Sequence, residues 1–204
     1  VVKQFEQLRS ALLEPGFNAH VVANVDAVVG ADPAAWSFAK QGTPRFRFAA
    51  AEDQADSYVG RELIVPLGSC ESSFLAQSSP CTISWQSPEL VPTLLLAQYL
   101  SQTEGPLWKS VRGCGLAYGV WVSLNVDSGE LNLTIYRSAN MPEAYAKVLD
   151  VVKEELGRER LDDTQFEGAK WSLICEMHLK VSTVSGAGGR SVLSVIQNKD
   201  PNFL

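Results

Sequence analysis

Apolar residues recur at helical spacing in Val2, Phe5, Leu8 and Leu12, and the run stops at Glu14-Pro15-Gly16, predicting an opening helix ended by proline and glycine. From Phe17 to Val29 the chain alternates and is rich in valine, a buried-strand pattern. The stretch from Asp32 to Gly60 carries prolines, alanines and an acidic run, Glu52-Asp53-Gln54-Ala55-Asp56, and reads as a linker clipped to the fold by Trp36, Phe38, Phe46 and Phe48. Glu62–Leu67 and Ser72–Ser78 are strand-like, with Gly68-Ser69 as the turn between them and Pro80 closing the pair.

Helical patterning returns at Ser87-Pro88-Glu89, a helix start followed by a dense apolar face over Leu90 to Ser101, with Pro92 tolerable in the first turn. Gly105-Pro106 interrupts it, and Leu107, Trp108 and Val111 form a second short stripe leading to Arg112. Tyr118–Val126 and Glu130–Tyr136 flank Asp127-Ser128-Gly129, a hairpin signal with positive φ expected at Gly129. Pro142 opens a helix through Leu156 that ends at Gly157, and Asp162-Asp163-Thr164 caps another through Leu179. Ser185–Ser191 reads as a glycine-rich flexible loop before a short helix from Val192 to Gln197. Strands followed by helices predict an α+β fold, an antiparallel-rich sheet with helices layered on one face.

Composition narrows the function classes. The 204 residues, 46% hydrophobic and 20% charged, suffice for a proper core in one large domain or one domain plus part of a neighbour. The net charge of −6 and the scatter of the 17 basic residues argue against nucleic acid. Nothing approaches the roughly 18 consecutive apolar residues of a membrane span, so no membrane partner is expected. The opening residues lack an initiator methionine, a signal h-region or an arginine-rich transit segment, and the chain reads as a piece of a longer polypeptide. Cys70, Cys81, Cys114 and Cys175 form no C-x-x-C pair. Their irregular spacing favours reduced thiols and an intracellular setting.

The candidate chemistry lies in Glu104-Gly105-Pro106-Leu107-Trp108-Lys109-Ser110-Val111-Arg112-Gly113-Cys114-Gly115-Leu116-Ala117-Tyr118-Gly119. A helix end runs through a glycine-rich turn into a strand; Gly113 and Gly115 can take positive φ at little cost, so the backbone can reverse sharply there while Arg112 and Tyr118 project toward one region. A fixed cation and a phenolic hydroxyl facing one point suit a polarised carbonyl. The residues alone also allow Arg112 to complement its helix dipole and Tyr118 to be an amphipathic core residue with its hydroxyl at the rim. Cys114, beside Arg112, is either a more reactive thiol or a small residue tolerated in a tight turn.

Three stretches together, Glu71-Ser72-Ser73-Phe74, the Glu104–Gly119 segment, and Leu131-Asn132-Leu133-Thr134-Ile135-Tyr136-Arg137-Ser138, resemble the C-terminal half of the pitrilysin/insulinase family of zinc peptidases, nearest the presequence-protease branch and its cytosolic relatives. The resemblance covers the chain from about Arg61 onward, and the first thirty residues more loosely. It implies a LuxS/metallopeptidase-like half-module at residues 61–204, a linker at 31–60, and at 1–30 the closing helix and strand of a preceding repeat domain. It also implies that Tyr118 donates to the oxyanion, that Arg112 anchors the substrate carbonyl, and that Gly115, Ala117 and Gly119 help bind substrate. Expected partners are a peptide substrate and the N-terminal half of the same polypeptide.

The departure from the family lies in its zinc motif. Catalytic members hold zinc with a His-x-x-Glu-His helix and a distant glutamate. This chain has only His20 and His178, in neither such context, so no cofactor is expected here, zinc is expected in the parent, and the fragment alone should not hydrolyse peptides. A non-catalytic peptide-binding or scaffolding member of the family, or an independent α+β binding module, are the alternatives. A cytoplasmic location is expected in preference to a mitochondrial one.

Rival motifs fail on geometry. Gly113–Gly119 runs helix to strand, the reverse of a dinucleotide fingerprint. Gly186-Ala187-Gly188-Gly189-Arg190-Ser191 lacks a Walker lysine. Ser72 and Ser73 have no nucleophile elbow. Glu71, Glu104 and the acidic run are not brought together by any spacing and read as solvated faces.

Overall fold

The computed structural model describes residues 2–13 and 60–197. Two compact units divide the chain, one of residues 1–48 with 178–204 and the other of residues 49–177. In chain order the elements are α1 (Val2–Leu13), β1 (Ser73–Pro80), α2 (Leu90–Ser101), a π-helical turn (Trp108–Arg112), β2 (Ala117–Asn125), β3 (Glu130–Ser138), α3 (Met141–Leu156), α4 (Asp163–Lys180) and α5 (Val184–Ile196). His20, the expected strand at Phe17–Val29, the linker aromatics and the boundary at residue 30 lie outside the described residues.

The second unit is built on an antiparallel sheet of order β1-β3-β2. The turn at Asp127-Ser128-Gly129 sets the register of β2 and β3. Gly129 takes φ +64°, the Ser128 amide donates to Asn125 Oδ1 at 3.2 Å, and counting outward from that turn puts Gly119 opposite Tyr136. The apolar side chains of Leu75, Val120, Val122, Leu133 and Ile135 meet Tyr99, Leu100, Leu107, Val111, Ala144, Val148 and Val151 in one core. Helices therefore cover one face of the sheet, as the strand-then-helix order predicts. Phe74, Trp121 and Tyr136 form a ring cluster on the other, with Tyr136 5.2 Å from Phe74 and 6.3 Å from Trp121.

Caps fix the helix starts. The Asn140 side chain accepts from the Glu143 amide and starts α3, and Asp162 Oδ1 accepts from the Gln165 amide at 2.8 Å to start α4. Ser138, fully buried after a bulge at Arg137 (φ +55°), donates to the Leu116 carbonyl at 2.7 Å and accepts from the Asn140 amide at 3.1 Å. One hydroxyl thus ties the entry of β2 to the start of α3.

Two expectations need correction. Glu62–Leu67 is not a strand: the Gly68-Ser69 turn forms, closed by the Cys70 amide on the Leu67 carbonyl at 3.1 Å, but Leu63, Ile64 and Val65 remain exposed and unpaired among the described residues. Consecutive apolar residues and a proline without an N–H make a poor ladder partner. Ser185–Ser191 is not a loop but part of α5, begun by the Thr183 hydroxyl accepting from the Gly186 amide at 3.0 Å. The cap and the burial of Gly188 and Ser194 outweigh the low helix propensity of glycine. Gly113 stays right-handed at φ −60°, so only Gly115, at φ +73°, supplies the left-handed residue of its turn.

Candidate functional site

The break at Gly105-Pro106 forms because the Gly105 amide closes on the Gln102 carbonyl at 2.9 Å, while Glu104 takes φ +64°. The chain then winds one wide turn. Gly113 and Leu116 each donate five residues back, to Trp108 and Val111, both at 2.9 Å. Single π turns of this kind concentrate at functional sites. Leu107 and Val111 are fully buried beneath the turn, which leaves Trp108 and Arg112 on its outer side.

Arg112 lies across the Tyr118 ring, its Cζ 4.8 Å from the centroid, and 5.7 Å from the Trp108 ring. Cation–π contact at an exposed site contributes about 0.5–1 kcal/mol, enough to bias the long arginine side chain toward one orientation. Tyr118 keeps 60% exposure, and among the described residues neither its hydroxyl nor the guanidinium has a hydrogen-bond or carboxylate partner. Both therefore retain their polar capacity for a ligand.

These groups border an open hollow of about 370 Å³ along the edge of β2, lined also by Ser101, Thr103, Trp121 and Tyr136. Its volume suits a peptide side chain and its flanking backbone. Arg112, Tyr118 and Gly119 are brought together there. Ala117 is not: its side chain is buried in the core, and Gly115 sits exposed at the turn before it. Gly119 matters for shape, since a Cβ there would come within 2.9 Å of the Trp121 ring.

Sequence reasoning missed Trp121, Tyr136 and Ser101 as lining residues. Tyr136 was within reach, because the hairpin turn sets it opposite Gly119. Ser101 was not, because only the packing of α2 on β2 brings it to the strand edge.

A profile of the peptidase M16 inactive domain matches residues 36–173. The chain belongs to the peptidase M16 family. An uncharacterized protein of Caenorhabditis elegans is 40% identical over 204 residues, covering 95% of this chain and 20% of that protein. One from Schizosaccharomyces pombe is 37% identical over 118 residues, covering 56% and 11%. The chain thus spans about a fifth or less of the length of these relatives. A solved inactive peptidase domain from Bordetella parapertussis superposes with a TM-score of 0.54 at 17% identity, over 66% of this chain and 76% of that one. The M16 inactive domain from Pseudomonas fluorescens gives 0.51 at 22% identity, over 64% and 31%. The fold is that of the C-terminal domain of M16 proteins.

Among the described residues, no three His, Cys, Asp or Glu side chains gather as ligands for zinc. No helix of the described residues is long and apolar enough to cross a membrane.

Proposed function

We propose that this M16 domain is the substrate-positioning half of a zinc metalloendopeptidase of the insulinase type that degrades peptides, nearest the presequence-protease branch and its cytosolic relatives. Arg112 holds the carbonyl of the bound peptide next to the scissile bond, and the Tyr118 hydroxyl donates to the oxygen as it gains charge. The observation that carries this reading is the convergence of the two groups on one hollow with no competing partner among the described residues. Zinc and the general base belong to the N-terminal half of the polypeptide.

A donor aimed at a developing oxyanion contributes about 3 kcal/mol to the transition state and much less to the ground state. In the full-length polypeptide, Tyr118→Phe should lower kcat by about a hundredfold or more with KM little changed. Unchanged turnover would remove Tyr118 from the chemistry. Peptide binding without turnover in the wild type would assign the protein to the non-catalytic, peptide-binding members instead.

All four cysteines are unpaired thiols in the structure, three of them exposed, which supports an intracellular and, in our reading, cytoplasmic setting.

A further inference from the structure

Ile135 and Ser138 are both fully buried, although strict alternation along a strand puts residues at that spacing on opposite faces. The bulge resolves the conflict. The register of β1 against β3 shifts between Ser73 and Leu75, and Arg137 takes φ +55°, which brings the Arg137 side chain to the open face beside Tyr136. Left-handed backbone under a long side chain is strained, and bulges near binding sites serve to re-aim side chains. Here the side chain re-aimed is a cation. Its Cζ lies 5.4 Å from the centroid of the Tyr136 ring, which itself walls the hollow.

Counting between the pairs Ala117–Ser138 and Gly119–Tyr136 puts Arg137 opposite Tyr118. Arg112 covers the Tyr118 ring at 4.8 Å, and the Tyr118 and Tyr136 rings are 6.3 Å apart. Two guanidiniums thus sit on two neighbouring rings. Among the described residues neither has a carboxylate partner, whereas Arg158 and Arg160 are each paired with one. On a chain of net charge −6, no residue lining the hollow is acidic.

We propose that Arg137 is a specificity residue that reads a carboxylate of the peptide bound in the hollow, so that the site prefers acidic peptides. The inference rests on the hollow being the peptide site described above, and adds a substrate class and a residue outside the Arg112–Tyr118 pair. Arg112 stays on the peptide carbonyl, and Arg137 takes the acidic group in a two-pronged hydrogen bond that a planar guanidinium matches and an ammonium does not. Stacking on Tyr136 restrains the arginine beforehand, so less side-chain freedom is lost on binding. Exposure caps the gain, because a charge pair at the rim contributes modestly and is screened by salt. An Asp or Glu side chain and the peptide's own C-terminus offer the same group.

The test uses the full-length polypeptide with EDTA present, so that binding is read without turnover, and calorimetric titration of three acetylated pentadecapeptides of alanine, leucine and threonine. One is amidated with a central glutamate, one is amidated with glutamine there, and one has the glutamine and a free C-terminus. Wild type should bind the glutamate peptide, or the peptide with the free C-terminus, about five- to tenfold more tightly than the amidated glutamine peptide, and the arm that gains names the source. The preference should fade at about 0.5 M sodium chloride. Arg137→Gly suits the left-handed backbone and removes the cation, so it should bring the three affinities within about twofold of one another. Arg137→Lys should keep part of the preference, and Arg137→Glu should reverse it toward a peptide with a central lysine, which a merely structural role would not do. Equal affinities in wild type, or a preference that survives Arg137→Gly, overturn the proposal and leave the catalytic reading standing. Binding of none of the peptides overturns the proposal together with the peptide reading of the hollow. Unchanged turnover in Tyr118→Phe beside an Arg137-dependent preference would fail the catalytic reading alone.

Discussion

The Tyr99 hydroxyl donates to Glu155 Oε2 at 3.0 Å, tying α2 to the last turn of α3 inside the core. Both residues are almost fully buried, and Arg158 completes the set by pairing with Glu155 Oε1 at 3.2 Å and with Glu154 at 2.7 Å. A buried carboxylate is costly to leave short of partners, so this bond outweighs an exposed ion pair. Because α2 also carries Ser101, the tie holds the helix that borders the hollow. Tyr99→Phe removes the donor while keeping the ring, and should destabilise the fold by about 1.5–3 kcal/mol in urea unfolding. A change within about 0.5 kcal/mol would mean that Arg158 satisfies Glu155 unaided.

The same phenol predicts an alkaline limit. Burial, followed by the hydrogen bond to Glu155, raises the Tyr99 pKa above its ordinary 10.0. The unfolded chain therefore loses this proton first. The stabilisation is complete below pH 10 and is lost as pH rises through the folded-state value. The stability gap between wild type and Tyr99→Phe should be flat from about pH 7 to 9 and narrow above about 10, and a gap that widens there would contradict the assignment.

Gly113 is required by close approach and not by its dihedral angle. Its φ of −60° suits any residue, but a Cβ would collide with the Lys109 carbonyl oxygen inside the π turn. The neighbour is backbone and cannot swing aside. Gly113→Ala should cost about 1–3 kcal/mol and loosen the Arg112–Tyr118 contact. Gly115→Ala meets open space at φ +73° and should cost about 1 kcal/mol of backbone strain alone. Equal stability of wild type and Gly113→Ala in urea unfolding would show that the wide turn relaxes to an ordinary helix.

How much of this was legible depends on what fixes each feature. The bounds of α2 followed from Glu89, Pro92 and the apolar run, and the β2–β3 hairpin from its turn, because both are set by local chemistry. The contact between Arg112 and Tyr118 was legible as a spacing, but the wide turn that achieves it was not, since no residue type marks a π turn. The strand at Glu62–Leu67 and the loop at Ser185–Ser191 misled for the same reason in opposite directions: a partner decides the first and a cap with tertiary burial the second. Left-handed backbone was sought at glycines, yet two such positions are Glu104 and Arg137.

Glu104 offers the corresponding stabilising change. An L-residue in the left-handed region costs about 1–2 kcal/mol, and glycine returns part of that gain through its larger unfolded-state entropy. The Glu104 side chain is exposed and makes no hydrogen bond or ion pair among the described residues, so little is lost with it. Glu104→Gly should therefore raise stability by about 0.5–1 kcal/mol, read as a higher urea midpoint with an unchanged slope. A lower midpoint would show that the carboxylate is needed at this corner, beyond its strained backbone. Arg137→Gly makes a useful contrast, because it removes the same kind of strain but also the guanidinium lying 5.4 Å from the Tyr136 ring centroid. Its net gain should be smaller than that of Glu104→Gly by about 0.5–1 kcal/mol, the contribution of that cation–π contact.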